Sequence, residues 1–174
     1  MRNKTFTILA ITIFMIFALS GCRKSKESQP ATAPPKIEWA SNPDFTTVEI
    51  SEKMNIDIRI TAEAGIRDFI VEVDSHAISP TLKLFTSDGT PNLDLINDIK
   101  LTAMLTAFGI EIPVGDMIKD QTEVNFSLSA FIPMIASVSG PKDHDTYHVF
   151  TINMTDNENR TLSKSLTFHY SYAE

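Results

Sequence analysis

Asp143, His144, Asp145 and His148 are the densest collection of potential metal ligands in the chain. Imidazole and carboxylate suit zinc and similar ions, but a site needs three or four converging ligands, and two histidines four apart converge on a helix. Here the spacing falls on a loop entering a strand. His148 shares its alternation phase with Phe150 and is expected as a partly buried, hydrogen-bonded residue at the strand start. No metal or other cofactor is expected; the four residues stay as candidates for a rival reading, a small metal-dependent hydrolase.

Two further acidic groups invite the same scrutiny. Asp156-Asn157-Glu158-Asn159 superficially suggests a calcium loop, yet the stretch lacks the glycine at loop position six and has Thr167 where the closing glutamate belongs. A solvated hairpin turn is the expectation. Glu72 and Asp74 project from one face of a strand, and paired carboxylates can hydrolyse glycosides at separations of about 5–5.5 Å or 6.5–9.5 Å. Alternate strand residues fall near the shorter value automatically, so this pair reads as a solvated polar face. Gly-x-Ser-x-Gly, His-Glu-x-x-His, phosphate-loop and dinucleotide patterns do not occur, and the reading is non-catalytic.

The strongest chemistry lies in Leu19-Ser20-Gly21-Cys22, which holds the only cysteine of the 174 residues. Arg2 and Lys4 precede an apolar run from Phe6 to Leu19, too short for a span of roughly 20 residues, and Ser20-Gly21 supply the small residues a signal peptidase requires. Residues 1–22 resemble a bacterial lipoprotein signal with its lipobox at Leu19, Ser20 and Gly21. The resemblance implies removal of residues 1–21 and a covalent lipid on Cys22, a diacylglycerol thioether with a further acyl chain on the amine. At about 0.8 kcal/mol per buried methylene, two or three chains hold a protein on a membrane permanently.

Residues 23–36 contain no apolar side chain larger than alanine apart from prolines and read as a Pro-rich tether. Fully extended, fourteen residues reach on the order of 40 Å. Surface-exported lipoproteins of the Bacteroidota resemble one another in carrying an acidic stretch just after the cysteine; Arg23, Lys24 and Lys26 depart from that pattern, and no aspartate follows Cys22. The expected address is the outer membrane, with the periplasmic or surface face left open.

Residues 37–174 carry 9 Lys and Arg against 21 Asp and Glu, a formal −12 beside −7 for the whole chain. That balance excludes nucleic acid, whose phosphates need clustered cations. With Cys22 lipidated, no thiol remains for a disulfide, so one domain must rest on its core.

The elements that must position these groups announce themselves by period. Met54, Ile56, Ile58 and Ile60 alternate with polar residues, as do Phe69, Val71 and Val73 after a turn at Glu63-Ala64-Gly65, and the two segments read as an antiparallel pair. Val124, Phe126 and Leu128 repeat the pattern. His148 to Met154 and Leu166 to Tyr172 flank Thr155–Arg160 as a C-terminal hairpin. Between the groups, Thr90 as cap and Pro91 as first helical residue predict one or two helices over 91–108, with Leu101, Met104, Leu105 and Phe108 on one face and Gly109 as the stop. That face is expected to pack as core rather than to stand exposed. A shorter helical turn is expected at Ser129–Ala136, and Trp39 is expected to open the first strand.

Strands, a helical insertion and strands again predict an antiparallel β-sandwich over 37–174, which a resemblance makes immunoglobulin-like. Ile37-Glu38-Trp39, Ala64-Gly65-Ile66, the insert ending Phe108-Gly109, and His148–Asp156 followed by Leu166-Thr167-Phe168 resemble Bacteroidota lipoproteins with an immunoglobulin-like domain. Asn157-Glu158-Asn159 departs from the glycine such final turns often carry, although asparagine accepts left-handed geometry. The resemblance implies a fold and an envelope location and brings no activity. The expected function is a lipid-anchored, non-catalytic module that binds an envelope protein or glycan. A surface-fibre or adhesin subunit is the third reading, since strand exchange needs a vacated sheet edge.

Overall fold

Alternation in the sequence becomes alternation of burial in space. The structure, a computed structural model, describes residues 32–49, 55–107, 109–132 and 146–170. In chain order the strands are β1 (Lys36–Glu38), β2 (Val48–Glu49), β3 (Asp57–Thr61), β4 (Ile66–Asp74), β5 (Asn92–Asp94), β6 (Glu123–Ser127), β7 (Thr146–Asp156) and β8 (Thr161–Tyr170). Helix α1 (Ser79–Phe85) precedes β5 and helix α2 (Ile99–Ala107) follows it. Strands β1, β3 and β6 form one sheet in that order; β2, β8, β7, β4 and β5 form the other. All pairings are antiparallel except β2 with β8.

The molecule is mainly β, with two sheets whose apolar faces meet in a sandwich-like core. Ile58, Ile60 and Phe126 from the smaller sheet and Phe69, Val71, Phe150, Ile152 and Phe168 from the larger are fully buried. Phe69 and Phe126 join the sheets edge to face at 5.5 Å, and Phe150 meets Phe168 at 5.2 Å. Such aromatic pairs add about 0.5–1.5 kcal/mol each beyond the area they bury. Trp39, expected to open the first strand, instead follows the end of β1 and is buried edge-on against Phe45.

The expected pairing of the third and fourth strands is corrected. β3 pairs with β1 and β6, while β4 pairs with β5 and β7, so Glu63-Ala64-Gly65 is a corner between sheets rather than a hairpin. The backbone around it is tied to the segment before β6: the Ala62 amide donates to the Thr122 carbonyl at 2.9 Å, and the Asp120 amide to the Ile66 carbonyl at 2.8 Å. Gly65 turns the corner at φ +83°. Alternation identifies a strand and its buried face, and both strands keep theirs; it holds nothing about which strand is the neighbour.

The helical insertion also departs from expectation at its start. Thr90 and Pro91 do not open a helix: they lead into β5, where Leu93 is buried opposite Val71. Burial of one leucine on an edge strand outweighs the helix-start signal, and proline is tolerated at a strand entry. The helix begins later, with Asp98 as its cap, accepting from the Leu101 amide at 3.0 Å. Leu101, Met104 and Leu105 pack into the core as expected. Phe108 and residues 133–136 lie outside the described residues; the expected turn there is seen as a 3-10 turn at Leu128–Phe131. Helix α1 was not anticipated, and Pro80 occupies its first turn.

The C-terminal hairpin is as expected, with ten register pairs from Thr146↔Tyr170 to Thr155↔Thr161. Its turn is not simply solvated. Asp156 is 0 % exposed, and its Oδ1 accepts from the amides of Glu158 and Arg160, both at 2.9 Å. Its Oδ2 accepts from Arg160 Nε at 2.7 Å, while Arg160 Nη1 and Nη2 donate to the carbonyl and hydroxyl of Thr32, each at 2.7 Å. Next to Thr32, the Ala33 amide donates to Glu63 at 2.7 Å. The reason is geometric: a carboxylate at the mouth of a tight turn caps amides that have no strand partner. Thr32–Lys36, of tether-like composition, are therefore laid onto the sandwich.

Candidate functional site

His148 is the one member of the sequence-derived ligand cluster within the described residues; Asp143, His144 and Asp145 lie outside them, as do Leu19, Ser20, Gly21 and Cys22. On the inward face of β7, His148 is 0 % exposed, deeper than the partial burial expected. Its Nδ1 lies 2.7 Å from Ser75 Oγ and its Nε2 3.2 Å from Thr146 Oγ1. Ser75 Oγ also accepts from the Ile78 amide at 3.1 Å. Ser79 completes the arrangement, accepting from the Ser75 amide at 3.1 Å and donating to the Val73 carbonyl at 2.8 Å. The imidazole is thus committed to joining the end of β4 to the start of α1, a structural task.

Burial pushes the His148 pKa below the ordinary histidine value. Because the folded value is depressed, the neutral ring's contribution is fully present above the unfolded pKa of about 6.5 and is lost as pH falls from there toward the folded value. The midpoint of urea unfolding is expected to drop between pH 7.5 and 5. His148→Gln is expected to flatten that part of the profile; an unchanged slope in the variant would remove His148 as its cause.

Elsewhere, Glu72 and Asp74 are exposed on the outer face of β4, as expected. Glu72 borders a groove of about 270 Å³ with Asp88, Asp94 and Asp98. Those carboxylates serve local structure. Asp98 accepts from the hydroxyl and amide of Ser87; burial alone would raise its pKa, but these bonds and that from Leu101 hold it below the usual range. Asp88 is likewise lowered by the amide and hydroxyl of Thr90, and Asp94 accepts from the Asn97 amide at 2.9 Å. Among the described residues, no three His, Cys, Asp or Glu side chains gather where a metal ion would be held.

The least expected surface is the outer face of β7 and β8. Tyr147, 59 % exposed, stacks on His169 at 4.4 Å with 14° between the rings. The Glu49 carboxylate on β2 pairs with His169 Nδ1 and fixes the lower ring. Beyond the stack the register sets Val149 against Thr167, Thr151 against Ser165, Asn153 against Ser163 and Thr155 against Thr161. None of these eight residues is ionisable, and Thr151 Oγ1 and Ser165 Oγ lie 2.9 Å apart.

No family model matches the chain, and no curated protein matches it significantly. The site must therefore be read from its own geometry. Two larger grooves, of about 500 Å³ beside Trp39 and Arg59 and about 410 Å³ beside Leu105 and Met117, are open on the surface. In the first, Arg59 is held by Glu123 in a bidentate pair at 2.9 and 2.7 Å.

Sequence reasoning missed both the aromatic stack and the Arg160–Thr32 latch. A signal for the first was present: Tyr147 and His169 occupy the outward phase of two strands already read as a hairpin, so counting back from the turn places them on one rung. For the latch there was none, since 128 residues separate its partners.

Proposed function

We propose that this chain is a lipid-anchored lipoprotein of the cell envelope, at the outer membrane, whose sandwich is an immunoglobulin-like, non-catalytic module that binds another envelope component. Cys22 carries the lipid, and the protein meets the membrane through it. The observation that carries the reading is the latch: Thr32, inside the tether-like sequence that follows Cys22, is held on the sandwich by Arg160. This is the arrangement of a tethered module. Between the proposed anchor at Cys22 and the latch at Thr32 lie nine residues, a contour of about 28 Å at the polyproline II rise.

Burial of His148 favours the non-catalytic side, because its ring nitrogens lie against the hydroxyls of Ser75 and Thr146. No observation specifically favours the fibre reading.

Expression of the full chain with Cys22→Ala beside the parent tests the anchor. The parent is expected in the detergent phase of a membrane fractionation and the variant in the aqueous phase, with the two equally stable. Cross-linking of the parent on intact envelopes should then capture a stoichiometric partner. A parent that partitions into water, or a variant that stays with the membrane, would overturn the proposal.

A further inference from the structure

We infer that the uncharged strip on the outer face of β7 and β8, with Tyr147 at its end, is a platform for a neutral polysaccharide chain. The inference rests on the binding-module reading above and names its ligand class and surface.

Charge selects the occupant. In a domain of formal −12, the four rungs from Val149 and Thr167 to Thr155 and Thr161 carry no ionisable group, whereas the adjacent strand β4 presents Asp68, Glu72 and Asp74. A polyanion laid on the strip meets that carboxylate row and is repelled. A cationic partner finds its complement off the strip, at Glu72, Asp88, Asp94 and Asp98. The strip itself complements an uncharged ligand that exchanges hydrogen bonds with hydroxyl and amide groups.

Shape and preorganisation point the same way. At about 3.4 Å per residue, the run from Tyr147 to Thr155 is roughly 27 Å long, a length that suits an extended chain rather than a compact molecule. Tyr147 has one face of its ring against His169, itself fixed by Glu49, and the residue is 59 % exposed. An aromatic ring held in place offers a negative face to the C–H-bearing face of a pyranose, and its ordering cost is met before binding. Ser and Thr side chains, with few rotamers to lose, complete a surface suited to sugar hydroxyls.

Affinity electrophoresis of the detergent-solubilised full chain is the test, with hydroxyethyl cellulose, galactomannan, arabinoxylan and laminarin as neutral probes and polygalacturonate as the anionic control. At least one neutral probe is expected to retard the parent, and Tyr147→Ala and Ser163→Glu are each expected to weaken that retardation about tenfold, with unchanged circular dichroism. Retardation by none of the neutral probes, equal retardation by polygalacturonate, insensitivity to both substitutions, or a Tyr147-dependent dimer without sugar binding would each overturn the inference. A protein partner captured equally by the parent and both variants would also overturn it while leaving the binding-module reading intact.

Discussion

Asp156→Ala is expected to lower the unfolding free energy by about 3 kcal/mol, the scale for breaking a buried ion pair at one partner. The carboxylate is fully buried and accepts three hydrogen bonds, from two amides and one guanidinium nitrogen. Its removal leaves the Glu158 and Arg160 amides without that acceptor and frees Arg160 from the geometry that reaches Thr32. Burial taken alone would raise the Asp156 pKa; the Arg160 amide, the Arg160 guanidinium and the Glu158 amide more than offset it and hold the group below the ordinary carboxylate range. With the folded value depressed, the contribution is present above the unfolded pKa, near 4, and is lost as pH falls through the folded value. Urea unfolding at pH 7, read as a midpoint shift at constant slope, measures the loss. Less than about 1 kcal/mol would mean the turn is held by the backbone alone. Asp156→Asn, which keeps one acceptor, is expected to fall between the parent and the alanine variant.

Gly65→Ala is expected to cost about 2–4 kcal/mol, combining left-handed strain with a steric conflict. A Cβ there would stand 2.8 Å from Asn157 Nδ2 and 3.1 Å from the Asp120 carbonyl oxygen. Asn157 cannot simply retreat, because Nδ2 donates to the Ala64 carbonyl at 3.0 Å and to Asp120 Oδ1 at 2.9 Å. Gly89 provides the comparison: it has a similar φ of +69° and nothing within 4 Å of its Cβ position. Gly89→Ala therefore pays the strain alone, and the difference between the two variants isolates the contact. Equal losses would show that Asn157 and Asp120 yield freely. Gly65 and Asp156 act on the same hairpin turn, through Asn157 and through the turn backbone, so the double variant should lose less than the two single losses combined.

The parts of the fold legible in the sequence are those set by local period. β7 and β8 declare themselves over ten rungs, and Ile58, Ile60, Val124 and Phe126 declare their inward face. Pairing across the sandwich was illegible because the Glu63–Gly65 corner and a hairpin turn draw on the same residue types. Thr90-Pro91 misled for a related reason: capping chemistry is local, whereas Leu93 is placed by Val71 on a distant strand. Of the candidate site, His148 was expected as a partly buried, hydrogen-bonded residue on its phase with Phe150; its full burial and its partners Ser75 and Thr146 required the third dimension. The same holds for the Tyr147–His169 stack, whose Glu49 brace comes from a strand about 120 residues away.

The latch at Thr32 also determines how the sandwich would bear a pull. Tension arriving along the chain from residue 31 meets Arg160 before it meets β1, a three-residue edge strand that would peel one rung at a time. Arg160 sits at the head of β8, so a pull on Thr32 is felt first at the turn end of the ten-rung hairpin. A guanidinium gripping one threonine is thus the first contact that must let go, and the load reaches β1 only afterwards.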